Sequence, residues 1–152
     1  MELGLPLVAK DAVKERLYET VGTGDREWSR RLGRATYALM FHWLDEELRC
    51  GRPAIVEANF TAVAEPLFAR LPPHRPLQLF CTASREVVIE RYAARARHEG
   101  HLDDVVLEEL RAGKHAEQWT PLRLPGELLE LDTTTTDVAM VAARVRDLLG
   151  PA

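Results

Sequence analysis

The sequence predicts an α/β domain, a parallel sheet with helices on both faces. Two observations carry this. Four short runs, Leu5–Ala9, Ala54–Glu57, Leu77–Cys81 and Leu128–Leu131, are nearly continuous in apolar character, as strands covered on both faces should be. The segments between them are amphipathic at helical spacing, and such alternation favours parallel strands joined by helical crossovers.

The elements follow in order. After Leu5–Ala9, a helix is expected from Asp11 to about Val21. Asp25 to Arg49 reads as a long helix, with Trp28, Leu32, Ala35, Leu39 and Trp43 on one stripe and Gly51 as its stop. Thr61 to Leu71 reads as a shorter helix that ends at Pro72-Pro73. Ser84 to His98 is an arginine-rich helix, followed by one over Asp103–Arg111. The last, Asp137 to Leu149, is expected to bury Val138, Val141, Val145 and Leu148, and to stop at Gly150-Pro151.

Composition narrows the class. The chain has 152 residues, 46% hydrophobic and 29% charged, which suits a single globular domain over residues 1–152. A net charge of −4 gives no general attraction to nucleic acid or to anionic membrane. No apolar run is long enough to span a bilayer, and Met1–Lys10 lacks the basic start of a signal peptide. Cys50 and Cys81 are far apart, which fits a reducing cytoplasm better than a disulfide framework or a zinc site.

Ligands of parallel sheets bind beyond the carboxyl ends of the strands, so the residues there carry the functional weight. Asp11 follows the first strand and opens a helix. It reads as a helix N-cap, as a carboxylate that positions or deprotonates a substrate hydroxyl, or as both at once. Glu57 stands directly after Ala-Ile-Val, where an unpaired buried carboxylate would cost several kcal/mol. It therefore needs a partner, either an internal cation or a ligand. Asn59, two residues on, is a turn residue or a substrate contact. Arg91, Arg95 and His98 fall on one face of the expected helix and either clamp phosphates or form a solvated face. His98-Glu99-Gly100-His101 is one residue short of the His-Glu-x-x-His pattern, so no metal is expected there.

Taken in order, five segments resemble a known family: Glu2 to Asp11, Gly24-Asp-Arg-Glu-Trp-Ser, Ala54-Ile-Val-Glu-Ala-Asn-Phe60, Arg91-Tyr-Ala-Ala-Arg95 with Arg97-His98-x-Gly-His101, and Leu131-Asp-Thr-Thr. They are similar to AAA-type P-loop ATP-binding kinases, whose relatives include zeta toxins and chloramphenicol phosphotransferases. The resemblance implies a three-layer P-loop NTPase-like sheet and phosphoryl transfer from ATP, with Mg2+, to a hydroxyl of a small molecule. It makes Asp11 the candidate general base on the substrate side, with Glu57 near magnesium or substrate. Arg91 and Arg95 become lid residues over ATP, and Thr133–Thr136 a loop bordering the adenine. The alternative is a non-catalytic protein that keeps the substrate cleft and binds a small anion or a protein.

One departure is large. The 152 residues contain no Gly-x-x-x-x-Gly-Lys-Ser/Thr segment, which in such kinases cradles the phosphates. The expectation is therefore a kinase-like domain incomplete at its N-terminus. Met1–Gly4 would be the tail of the helix after the loop. The first, central strand would be missing, and Ala54–Glu57 would lie either beside Leu77–Cys81 or across a gap from it.

Overall fold

A computed structural model describes residues 3–114 and 120–150. Four strands, β1 (Leu7–Ala9), β2 (Ile55–Glu57), β3 (Leu77–Thr82) and β4 (Glu127–Asp132), alternate with helices. The helices are α1 (Lys10–Val21), α2 (Arg26–Arg49), α3 (Glu65–Phe68), α4 (Arg85–Ala94), α5 (Asp103–Arg111) and α6 (Val138–Leu149). All strand pairing is parallel, as expected from the alternation. The four strands form two separate pairs, β1 with β2 and β3 with β4. Among the described residues β2 is not hydrogen-bonded to β3, and the two pairs are separate two-stranded sheets. A two-stranded parallel sheet is marginal by itself, and each pair depends on the helices packed against it.

The core lies under the β1–β2 pair. Met40, Phe41 and Leu44 of α2 meet Ala64 and Phe68, and Val8, Ala54 and Val56 pack against this cluster. Phe41, Phe60 and Phe68 are mutually edge-on, with centroids 4.9–6.4 Å apart, the orientation that the ring quadrupoles favour. The helix α2 starts where Asp25 accepts a hydrogen bond from the Trp28 backbone N–H, and Arg49 is in its last turn. Both ends suit its macrodipole.

Several sequence expectations are corrected. The buried stripe of α2 runs through Ser29, Leu32, Thr36, Met40 and Leu44 rather than Trp28, Ala35, Leu39 and Trp43, and Leu39 is exposed. The stripe is rotated by about one residue. Thr36 fits inside because its hydroxyl donates to the Leu32 carbonyl, which removes the cost of a buried polar group. The segment 61–71 is a 3₁₀ turn and the short α3, because Pro66 is tolerated only in a first turn. The helices flank the strands but cover them incompletely, since Leu7, Leu79 and Leu128 are each at least 40% exposed. A two-stranded ribbon is too narrow to be sealed by a full helical layer on each side. On α6, Val145 is buried as expected, but Val138 is 80% exposed. Gly4 has a positive φ and lies outside any helix, so the expected helix tail does not reach it. Met1 and Glu2 lie outside the described residues, as does Pro151.

The most consequential correction concerns α4. It ends at Ala94, and Arg95 is already extended, with φ −83° and ψ 140°. His98 therefore does not share a helical face with Arg91 and Arg95. Tertiary contacts outweigh the local helix pattern here. Arg95 bonds Asp103 with two nitrogens and lies 3.4 Å from the centre of the Tyr92 ring. His98 stacks on Tyr18 of α1 at 5.1 Å.

Candidate active site at the carboxyl ends of the first strand pair

Strand register builds this site. Ala9 pairs with Glu57, so the residues leaving β1 and β2 emerge side by side. Lys10 and Asp11 begin α1 directly after Ala9, and Asn59 follows Glu57 by two residues. Asp11 is not the N-cap, which is Ala9 with no side-chain bond. Strand and helix abut without a loop, so Asp11 falls inside the first turn, where its negative charge suits the helix dipole. The capping interpretation of Asp11 is thereby overturned.

The Asp11 carboxylate is held from two sides. Lys10 Nζ donates to Oδ1 at 3.0 Å and also reaches Asn59 Oδ1 at 3.2 Å. Arg97 Nη2 donates to Oδ2 at 2.5 Å. Burial pushes the Asp11 carboxyl up, but Lys10, Arg97 and His101 outweigh it, and its pKa lies below the ordinary aspartate value. Glu57 goes the other way. Burial and the neighbouring Asp11 charge raise its pKa against Lys10 and Arg97. The expected internal cation for Glu57 is not made as a contact among the described residues; the nearby cations act on it only through space. Tyr37 sits close by, its hydroxyl donating to the Asn59 carbonyl at 3.4 Å. Burial and the charges of Asp11 and Glu57 push its phenol up to about 12, so it stays a protonated donor.

Behind Asp11, one face of α1 anchors the segment that delivers Arg97. Glu15 Oε1 accepts from His101 Nε2 at 2.9 Å. The buried Ser29 hydroxyl accepts from Lys14 at 2.9 Å, lies 2.8 Å from the Tyr18 hydroxyl, and donates to the Gly100 carbonyl. At Gly100 a Cβ would come within 2.7 Å of the Tyr18 ring, so only glycine allows this approach.

The predicted site residues divide between two places. Asp11, Glu57 and Asn59 come together at the end of the β1–β2 pair. Arg91 is at the other pair, where it donates to Thr133 Oγ1 at 2.6 Å and to the Thr133 carbonyl at 3.2 Å. Thr133 itself bonds the carbonyl of Thr82 at the end of β3. The chain from Arg91 to Arg97 thus bridges the ends of the two strand pairs. Arg95 is committed to Asp103, and the arginine brought to Asp11 is Arg97. Lys10, Arg97, His101, Glu15 and Tyr37 were not singled out as site residues from the sequence. The available signal was the spacing of Asp11 and Glu15, one helical turn apart on α1.

The separated carboxyl pKa values give a direct test. In a carbon-13 carboxyl titration, Asp11 is expected to titrate below its ordinary value and Glu57 above its own. Asp11→Asn should lower the Glu57 midpoint, because a like charge is removed. A Glu57 midpoint unmoved by that substitution would show that burial alone raises it. The linked stability effects are opposite in sign. The Asp11 contribution is present above its unfolded pKa and is lost as pH falls through the folded value. Glu57 favours the fold in its protonated form, so its contribution is lost as pH rises through its folded value.

Parallel strands flanked by helices, with charged side chains gathered at the strand ends, define an α/β protein whose candidate site lies at the carboxyl ends of its strands. A family profile described as an AAA domain matches residues 1–118, and the chain belongs to that family. A solved structure from Chloroflexus aurantiacus J-10-fl, described as a "putative kinase", is 34% identical, with a TM-score of 0.83 over 97% of this chain and 86% of that one. The tunicamycin resistance protein of Deinococcus radiodurans is 19% identical, covering 99% of this chain and 85% of that chain, with a TM-score of only 0.45. No curated protein matches the chain.

Proposed function

We propose that this chain carries the acceptor side of an ATP-dependent small-molecule kinase, one that transfers a phosphoryl group to a hydroxyl, in the neighbourhood of zeta toxins and chloramphenicol phosphotransferases. The observation that carries this reading is the placement of Asp11 and Glu57 at the ends of adjacent parallel strands. Asp11 is the proposed base. It would accept the proton of the substrate hydroxyl as that oxygen attacks. Glu57, with no contact partner among the described residues, and Asn59 would orient the acceptor. Lys10 fixes the Asp11 and Asn59 oxygens relative to each other. Arg91 and Arg95 are the proposed lid residues, near the Thr133–Thr136 loop. A cytoplasmic setting fits this chemistry.

The described residues do not by themselves fit bound ATP and magnesium. Arg95 is paired with Asp103, Arg91 with Thr133, and Lys10 with Asp11. Gly113-Lys114 follows α5 rather than a strand. Phosphate binding in such enzymes needs a run of backbone N–H groups, a lysine and a magnesium-binding hydroxyl. We therefore expect the 152-residue chain to bind ATP–magnesium weakly or not at all, and isothermal calorimetry that gives micromolar affinity would overturn this. The same shortfall favours a second reading, a non-catalytic protein whose cleft holds a small anion between Lys10 and Arg97. The readings are separated by a form of the protein that carries a phosphate loop ahead of Met1. Transfer of labelled phosphate from ATP to hydroxyl compounds supports the kinase. ATP binding without transfer to any of a broad hydroxyl panel supports the binding protein.

A further inference from the structure

Three side chains, Glu15, His101 and Arg97, form a continuous chain behind the candidate base. Glu15 Oε1 lies 2.9 Å from His101 Nε2, and Arg97 Nη2 lies 3.0 Å from Nδ1 and 3.2 Å from Nε2 of the same ring. The same Arg97 nitrogen donates to Asp11 Oδ2. A carboxylate can only accept, so Nε2 carries the proton opposite Glu15. The Arg97 nitrogen is almost equidistant from Nδ1 and Nε2, which places it over the face of the ring rather than in its plane. Glu15 orients the ring through Nε2, and a neutral ring accepts the guanidinium on its face, on the side away from Asp11.

We propose that His101 is a positioning residue that holds Arg97 across Asp11 while its ring is neutral and releases it when the ring takes a second proton. Protonation makes the ring a second cation, with its Nδ1 3.0 Å from the Arg97 nitrogen. The imidazolium and Arg97 then compete for the same carboxylates.

The groups facing His101 decide the balance. From α1 come Asp11 and Glu15, which attract a proton to the ring, Lys14, which repels one, and the uncharged edge of Tyr18. From its own segment comes Arg97, which repels it. Asp103 faces Arg97 at 3.6 Å and offers the freed guanidinium a second anchor. Arg97 therefore has two carboxylates to choose from, and His101 biases the choice toward Asp11. The contact covers one oxygen of the candidate base and holds its basicity down. Its opening would uncover Asp11 for a hydroxyl. That last consequence rests on the proposed role of Asp11, whereas the contact and its release do not.

The test uses the 152-residue chain labelled with nitrogen-15 and carbon-13. At neutral pH, long-range proton–nitrogen spectra should show His101 as the Nε2–H tautomer and the Arg97 terminal nitrogens as two resolved signals. On acidification those two signals should collapse at the His101 midpoint, well before Asp11 protonates. In His101→Gln, which keeps a donor for Glu15 but does not titrate, the collapse at that pH should vanish while Asp11 still titrates low. In His101→Phe, which keeps an uncharged ring face under Arg97, it should vanish too. Arg97 signals that stay resolved through the His101 midpoint in the wild-type chain would overturn the proposal without any variant. A failed kinase assay would leave these spectra unchanged, so the two ideas fail separately.

Discussion

In a phosphate-loop-bearing form of the protein, Asp11→Asn is expected to lower turnover by about 10²–10⁴-fold, the usual contribution of a positioned base. This corresponds to about 2.7–5.4 kcal/mol in the barrier. The substitution keeps the shape of the side chain and leaves an oxygen for Lys10 or Arg97. Only charge and proton affinity are lost. The stability change should be far smaller. Asp11 is 42% exposed, and ion pairs as open as this contribute about 0–1 kcal/mol. Turnover and melting must therefore separate widely, which a purely structural aspartate would not allow. The measurement is steady-state kinetics beside a denaturant melt. Near-normal turnover in Asp11→Asn would reduce Asp11 to a partner of Lys10 and Arg97. Arg97→Ala serves as the control, since it uncovers Asp11 without removing it.

The elements were legible in the sequence because their signals are local. Each of the four strands and α5 lies where its apolar run or helical spacing placed it, and the starts of α2 and α6 are marked by Asp25 and Asp137, both N-caps. The carboxyl ends of β1 and β2 were legible for the same reason, and they bring Asp11 and Glu57 together. What could not be read is whatever depends on partners distant in sequence. Arg95 has the spacing of a helical lid residue, yet Asp103 and the Tyr92 ring draw it out of the helix. Arg97 looked like one charge among many, and it reaches Asp11 across 86 residues. The turn that carries it is fixed by Tyr18, Ser29 and Gly100, a packing relation that no periodicity announces. Strand pairing is likewise non-local, so no single apolar run announces that the four strands form two separate pairs.

The separation of the strands into two pairs leads to the other large expected effect. Joining to Met1 a segment that forms a β-strand, a Gly-x-x-x-x-Gly-Lys-Ser/Thr loop and a helix should raise the melting temperature and create ATP-dependent transfer together. Each pair is parallel within itself, and β2 and β3 are not bonded to each other; the added strand is expected to pair with both. Edges left open in this way are costly and prone to wrong pairing. The exposed apolar side chains of the strands supply a further driving force: Leu7, Leu79 and Leu128 are each 40% exposed or more. Taking such a side chain from full exposure to full burial contributes about 1.5–3 kcal/mol, and roughly half of that remains for each of these. Covering two or three of them would stabilise the fold by about 2–4 kcal/mol, and at about 2–4 °C per kcal/mol for a domain of this size the melting temperature should rise by roughly 5–15 °C. Activity should appear with it, because a strand entering beside β2 ends at the same edge as Asp11 and Glu57, and the loop that follows it would face both carboxylates. The bridge from Arg91 at Thr133 to Arg97 at Asp11 spans the ends of both strand pairs, so it would lie across that loop. Scanning calorimetry and a phosphoryl-transfer assay on the two lengths of chain decide the matter. Equal melting temperatures would mean that the sheet does not open for another strand. A higher melting temperature without transfer would keep the structural account and remove the kinase.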